Sequence, residues 1–272
     1  MVSIVSFIDS LELIDKEGAV IVYDDPGLVI KNANSILVDE LELTKLDTPH
    51  LIIQNSLQQR ILGIGGFKAV NAAKILSVKR LRKGGLKQAI FESPRPHIPV
   101  TLVPLRPALC SEVSSLTLVF DEKVPVYYAL FIRPERIVIP EKVFMENIKG
   151  NELVALLLES DTRSLSTGEY VSLCLRLSKR LFGVHFIISL SLAALTGLKL
   201  DSVIPCVAKA TGYPRAASCD VNVVDKIHTL IEKKIDHLVE HSWSFYMNFL
   251  IYWGVNNRGE LYRRYLDLKP SG

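Results

Sequence analysis

The chain has 272 residues, 49% of them hydrophobic and 22% charged, which suffices for a sizeable core and excludes wholesale disorder and fibrous repeats. Thirty-two Lys and Arg against 29 Asp and Glu leave a net charge of +3, too little for the whole chain to act as a polycation, so any nucleic-acid contact must be local. The length favours two domains, because single cores commonly divide beyond about 250 residues.

The N-terminal MVSIVSFIDSLELIDKE lacks a basic start and gains acids quickly, so it reads as a first structural element rather than an export signal. Up to residue 140 the text is strand-like. Short β-branched runs occur at 19–24, 50–54, 97–103, 115–120, 126–132 and 136–140, punctuated by Pro and Gly. One helix interrupts them, Phe67 to Leu76, with Ala69, Ala72, Ala73 and Leu76 on one face. It follows the glycine-rich turn Gly63-Ile64-Gly65-Gly66. A strand running through glycines into a helix start offers unpaired amides beside a positive dipole end, so Gly63, Gly65, Gly66 and Lys68 are the candidate phosphate-binding residues. The spacing is neither G-x-G-x-x-G nor a P-loop, and a tight turn needing positive φ accounts for it equally well.

Directly after that helix come Lys79, Arg80, Arg82, Lys83 and Lys87, five cations in nine positions with no acid among them. Such density can neutralise a phosphate backbone; a solvated loop is the plainer alternative.

After Pro140 the pattern turns helical, which sets domains at 1–140 and 141–272. Ser166 and Glu169 form a capping box, followed by the stripe Tyr170, Leu173, Cys174, Leu177 and Leu181, with the helix ending at Gly183. From Leu181 to Leu198 no charged residue occurs over eighteen positions; Gly, His, Ser and Thr dilute the run, and a buried helix is favoured over membrane insertion. His237-x-x-Glu240-His241 has the form of an inverted zinc-peptidase motif, but only Glu260 follows as a further glutamate, so no metal is assigned. Trp243, Phe245, Phe249, Tyr252 and Trp253 suggest a homodimer-forming C-terminal helix. Cys110, Cys174, Cys206 and Cys219 show no C-x-x-C spacing, which points to free thiols and a cytoplasmic, reducing compartment.

In order, these pieces resemble the ParB-like family of partition and nucleoid proteins, which share a fold with sulfiredoxin and the free-serine kinases. Gly66-Phe67-Lys68-Ala69-Val70-Asn71-Ala72-Ala73-Lys74-Ile75-Leu76 stands in the register of that family's box and helix. Glu159 to Glu169 with Phe182-Gly183 resembles its Glu-Asn-x-x-Arg stretch and following helix. The box's acid and arginines are replaced here by Phe67, Lys68 and Ala69. Leu192 to Leu198 with Val203 and Cys206 has helix-turn-helix spacing, although Pro205 falls within the second helix.

The resemblance implies an α+β protein: an N-terminal mixed β-sheet domain with few helices, then an all-α domain containing a candidate helix-turn-helix. The expected function is non-catalytic DNA binding without a cofactor. Lys79, Arg80, Arg82, Lys83, Lys87, Lys199, Ser202 and Arg215 are the expected nucleic-acid contacts. The alternatives are a small-molecule kinase or nucleotide hydrolase using the glycine turn, or a membrane-associated interaction protein.

Overall fold

The computed structural model of the chain describes residues 2–5, 19–28, 34–39, 41, 45–46, 60–78, 98–121, 126–151, 154–155, 158, 160–177, 184–210, 219–252 and 254–268. Eight strands are described: β1 Val2–Val5, β2 Ala19–Tyr23, β3 Ser35–Leu37, β4 Arg60–Gly65, β5 Val100–Pro104, β6 Leu116–Asp121, β7 Val126–Phe131 and β8 Arg136–Pro140. Seven helices are described: α1 Phe67–Leu76, α2 Glu141–Ile148, α3 Thr167–Leu177, α4 Val184–Thr196, α5 Leu200–Ala210, α6 Val221–Tyr252 and α7 Arg258–Leu266.

Six strands form one sheet in the order β1-β8-β5-β4-β2-β3, and β6 pairs with β7 separately. Every pairing described in the larger sheet is parallel, where the sequence suggested a mixed sheet. The reason is visible in the strand text. Ala19, Val20, Ile21 and Val22 are all buried, as are Ile61, Leu62 and Ile64, so both faces of these strands are covered and the runs are continuously apolar rather than alternating.

The chain divides into two compact units. One comprises residues 1–122, 128–150 and 163–175; the other comprises 123–127, 151–162 and 176–272. In the first, α1 lies against the sheet, and its close approach depends on Gly63, where an added Cβ would come within 2.7 Å of the Ala73 Cβ. In the second, α4 packs with α5 and α6, and α6 with α7. α6 is interrupted at Lys234 (φ −142°, ψ 25°), which is not helical.

Within Leu181–Leu198 the thirteen-residue α4 is described, with 181–183 outside the described residues, and among the described residues no helix is long and apolar enough to cross a membrane. The free-thiol expectation is corrected: Cys110 pairs with Cys174 and Cys206 with Cys219. Sequence separations of 64 and 13 residues carry no local signature, because folding, not spacing, brings these sulfurs together. The inference of a reducing compartment loses its basis with that correction.

Candidate functional site: a crevice at the carboxyl edge of the parallel sheet

From β2 the chain moves outward to β3, then returns across β2 to place β4 on its other side, and continues to β5 and β8. Strand order therefore reverses between β2 and β4. In open parallel sheets, the crevice beyond the carboxyl ends of two such strands is where ligands bind. Three chain segments converge there: Asp24 directly after β2, Gly65 and Gly66 at the end of β4, and Arg106 two residues beyond β5.

Asp24 holds them together. Its carboxylate accepts from the Gly66 amide at 2.9 and 3.1 Å and from the Ala69 amide at 3.1 Å, and the Arg106 guanidinium donates to it at 2.9 Å. The first turn of α1 contains no acid of its own, so a carboxylate from a neighbouring strand supplies the negative charge that a helix start favours. The Asp24 side chain is 4% exposed, whereas Arg106 is 45% exposed. Gly65 has φ +139°, and a Cβ there would stand 2.1 Å from the Asp24 Oδ1, so only glycine permits this approach.

A second polar cluster lies beneath. Lys74, on the inner side of α1, donates from Nζ to the carbonyls of Ser111, Ser114 and Leu116, the latter two at 2.8 Å. Asn71, one turn before it, donates to the Ser111 hydroxyl at 3.2 Å and accepts from the Leu118 amide at 2.8 Å. Burial lowers the Lys74 pKa to about 7, opposed by the charge of Glu112. Glu112 is itself buried, which pushes its carboxyl upward, while the Tyr170 hydroxyl donating to it pulls the other way.

The turn these groups hold contains two left-handed non-glycine residues, Leu109 (φ 53°) and Cys110 (φ 61°), each costing roughly 1–3 kcal/mol. Tyr170 and Cys174, one turn apart on α3, grip it through Glu112 and through the disulfide. The Ser166–Glu169 capping box is present: the Glu169 amide donates to Ser166 Oγ at 3.3 Å, and the Ser166 amide to Glu169 Oε2 at 2.9 Å. It sets where α3 begins, and so which α3 residues face the turn.

The residues singled out by sequence are distributed as follows. Gly63, Gly65 and Gly66 are buried at the crevice, and the Gly66 amide is bonded to Asp24. Lys68 is exposed and donates to the Asp39 carbonyl. Lys199, directly before α5, and Ser202, in its first turn, are exposed. Lys79, Arg80, Arg82, Lys83, Lys87 and Arg215 lie outside the described residues. Of the intended reading helix α5, Val203, Ile204, Cys206, Val207 and Ala208 are buried, so this face is core.

Asp24, Arg106 and Glu112 were not anticipated, and Tyr170 was read only as part of a buried stripe. An acid just past a β-branched strand was the one signal available for Asp24. His237 and His241 stand a turn apart on α6 with ring centroids 6.5 Å apart; burial first, then the charge of His237, lowers the His241 pKa to about 4.

No protein-family model matches the sequence, and no curated protein matches it. Solved structures do match in fold. NADH-dependent butanol dehydrogenase A from Thermotoga maritima has a TM-score of 0.57 at 15% identity, covering 92% of this chain and 90% of its own. Sulfoacetaldehyde reductase from Bifidobacterium kashiwanohense, solved with NAD+, has a TM-score of 0.58 at 12% identity over 100% and 97%. An archaeal alcohol dehydrogenase from a Red Sea brine pool has a TM-score of 0.63 at 10% identity over 98% and 96%.

The ParB-like resemblance is thereby corrected. Its matched residues build a turn and a helix in a parallel-sheet scaffold, because Ala-Ala-Lys spacing after glycines serves any helix packed closely on a strand. DNA as partner and non-catalytic DNA binding as function rested on that ancestry and are withdrawn with it. The fold of this chain is the one these dehydrogenases have.

Proposed function

We propose that this chain is an oxidoreductase of alcohol-dehydrogenase type that binds a nicotinamide dinucleotide at the β2/β4 crevice and acts on a small alcohol or aldehyde. The observation carrying this reading is the placing of a glycine turn and an acid on adjacent parallel strands at the switch point. In doubly wound dinucleotide folds a glycine turn that opens a helix receives the pyrophosphate and a nearby acid the ribose; here the acid follows β2, ahead of the glycine turn in the chain, and accepts from the Gly66 and Ala69 amides. The fold likeness to an NADH-dependent butanol dehydrogenase and to a reductase solved with NAD+ supports it.

The residues present fit such a cofactor. Asp24 would accept from ribose hydroxyls, and Arg106, half exposed, would pair with a phosphate. Gly65 and Gly66 carry no Cβ to block the backbone's approach. When bound, the dinucleotide would supply or accept hydride; the chain's own part is to orient it and keep water from the reacting carbon. Since both Asp24 oxygens already accept from the protein, a ligand must share or replace the Arg106 contact. The reading places the dinucleotide on the 1–140 segment and leaves 141–272 as a helical domain.

Iron, named for two solved structures of this fold, is a different matter. Among the described residues no group of three or more His, Cys, Asp or Glu is placed to hold a metal ion, and a resident metal needs three or four such ligands. The described donor set does not fit it, and no step is assigned to a metal.

The test is titration of the full chain with NADH and NADPH, followed by nicotinamide fluorescence, and then by absorbance with small aldehydes. Saturable binding that weakens at least about tenfold in Asp24→Ala is expected, since a charge-assisted hydrogen bond is worth roughly 1.5–3 kcal/mol. Absence of binding to either dinucleotide overturns the reading.

A further inference from the structure

Arg106 stands on a backbone held on both sides. Before it, the Leu105 amide donates to the Gly65 carbonyl at 2.8 Å, and the Leu105 carbonyl accepts from Asn147 Nδ2 on α2 at 3.1 Å. After it, the Ala108 amide donates to Glu112 Oε2 at 3.2 Å, and the Ala108 carbonyl accepts from the Ser111 hydroxyl at 2.5 Å. Freedom is left to the side chain, which lies across the glycine turn: a Cβ added at Gly66 would stand 3.3 Å from Arg106 Nε.

The carboxylate that this arginine meets is full. A carboxylate has about four lone-pair positions. Here Oδ1 of Asp24 accepts from the Gly66 amide and from Arg106 Nη2, while Oδ2 accepts from the Gly66 and Ala69 amides. Its charge is thus compensated by two amides at the positive end of α1 and by the guanidinium. Asp25, next in the chain, is engaged in its own turn, where Oδ1 accepts from the Gly27 amide at 2.9 Å. Arg106 is in the opposite condition. It gives an Nη2 donor to Asp24, and its remaining N–H groups form a fork on a half-exposed side chain.

A ribose diol reaches Asp24 by displacing the guanidinium, which exchanges a charge-assisted bond on a buried carboxylate for bonds to neutral hydroxyls. A phosphate monoester displaces nothing: it takes the fork of Arg106 while Asp24 goes on aiming the arginine. In dinucleotide folds, an arginine near the ribose acid is the group that accommodates a 2′-phosphate. We propose that Arg106 is the specificity-determining residue of the crevice and selects the dinucleotide bearing a 2′-phosphate, NADPH, over NADH. This rests on the crevice reading above and adds to it which of the two cofactors the site is built for.

The test is titration of the full chain with each dinucleotide at one salt concentration, followed by nicotinamide fluorescence. NADPH should bind at least about tenfold more tightly than NADH, as expected for a charge-assisted pair. Arg106→Gln should abolish the preference by weakening NADPH about tenfold or more, with NADH unchanged or tighter. Arg106→Lys, a point charge without the fork, should keep part of it. Adenosine 2′,5′-bisphosphate should displace NADPH from the wild-type chain about tenfold better than adenosine 5′-monophosphate does. Circular dichroism checks that the variants fold; if they do not, the wild-type preference and the two adenosine competitors decide. NADH bound as tightly as NADPH, or tighter, overturns the assignment and leaves the crevice reading standing. So does an equal loss of both in Arg106→Gln, which would put the arginine on the pyrophosphate that they share. Binding of neither dinucleotide overturns both.

Discussion

Lys74 donates to three backbone carbonyls from a fully buried side chain, and burial lowers its pKa from 10.5 to about 7. Between those values the unfolded chain holds this proton more firmly than the folded one. Stability therefore rises with pH from about 7 toward 10.5 and is lost as pH falls back through that window. Lys74→Met should flatten this slope in urea denaturation measured across the window. It should also lower the unfolding free energy by roughly 2 kcal/mol or more, because the buried carbonyls around Lys74 lose their donor. Gly65→Ala tests the crevice separately. With φ +139° and a Cβ 2.1 Å from Asp24 Oδ1, the alanine should cost about 2–4 kcal/mol in the same assay, and no loss would show that Asp24 does not sit on the turn. Neither Asp24 nor Lys74 could be assigned a role from the sequence, because their partners stand about 40 residues away along the chain. The glycines were legible, since few other reasons put three of them around one isoleucine before a helix.

Among the elements, α1 coincides with its sequence reading from Phe67 to Leu76, because alanines at helical spacing after glycine permit little else. The cap of α3 was equally local and equally readable. Ser166→Ala should lower Tm by about 2–4 °C, the loss typical of an N-cap in a chain of this size, measured by circular dichroism. β3 escaped detection because three residues, half-buried to exposed, carry no period. Parallel pairing was illegible for another reason: short apolar runs look alike whether their neighbour lies a hairpin or a hundred residues away. α6 runs from Val221 to Tyr252, but Lys234 within it is outside helical geometry. Lys234→Gly should therefore cost little, whereas Glu232→Gly, inside a regular turn, should cost about 1 kcal/mol in thermal unfolding. Equal costs would mean the helix runs through.

At the scale of the whole molecule, the two crosslinks differ in the length of chain they close, 64 against 13 residues of separation. In the chain-entropy account, they stabilise by roughly 4 and 3 kcal/mol respectively. Reduction of the wild-type chain should thus lower Tm markedly, as read by scanning calorimetry, and an unchanged transition would show that the thiols were never joined. The sheet has a further consequence, for synthesis. β1 lies at the edge, in register with β8 from Val2 beside Ile137 to Val5 beside Pro140. During synthesis β1 must therefore wait for this partner until the chain through Pro140 has followed. The nascent chain carries an unsatisfied β edge through much of translation, a period in which a chaperone or a slower codon run would matter more than any later contact.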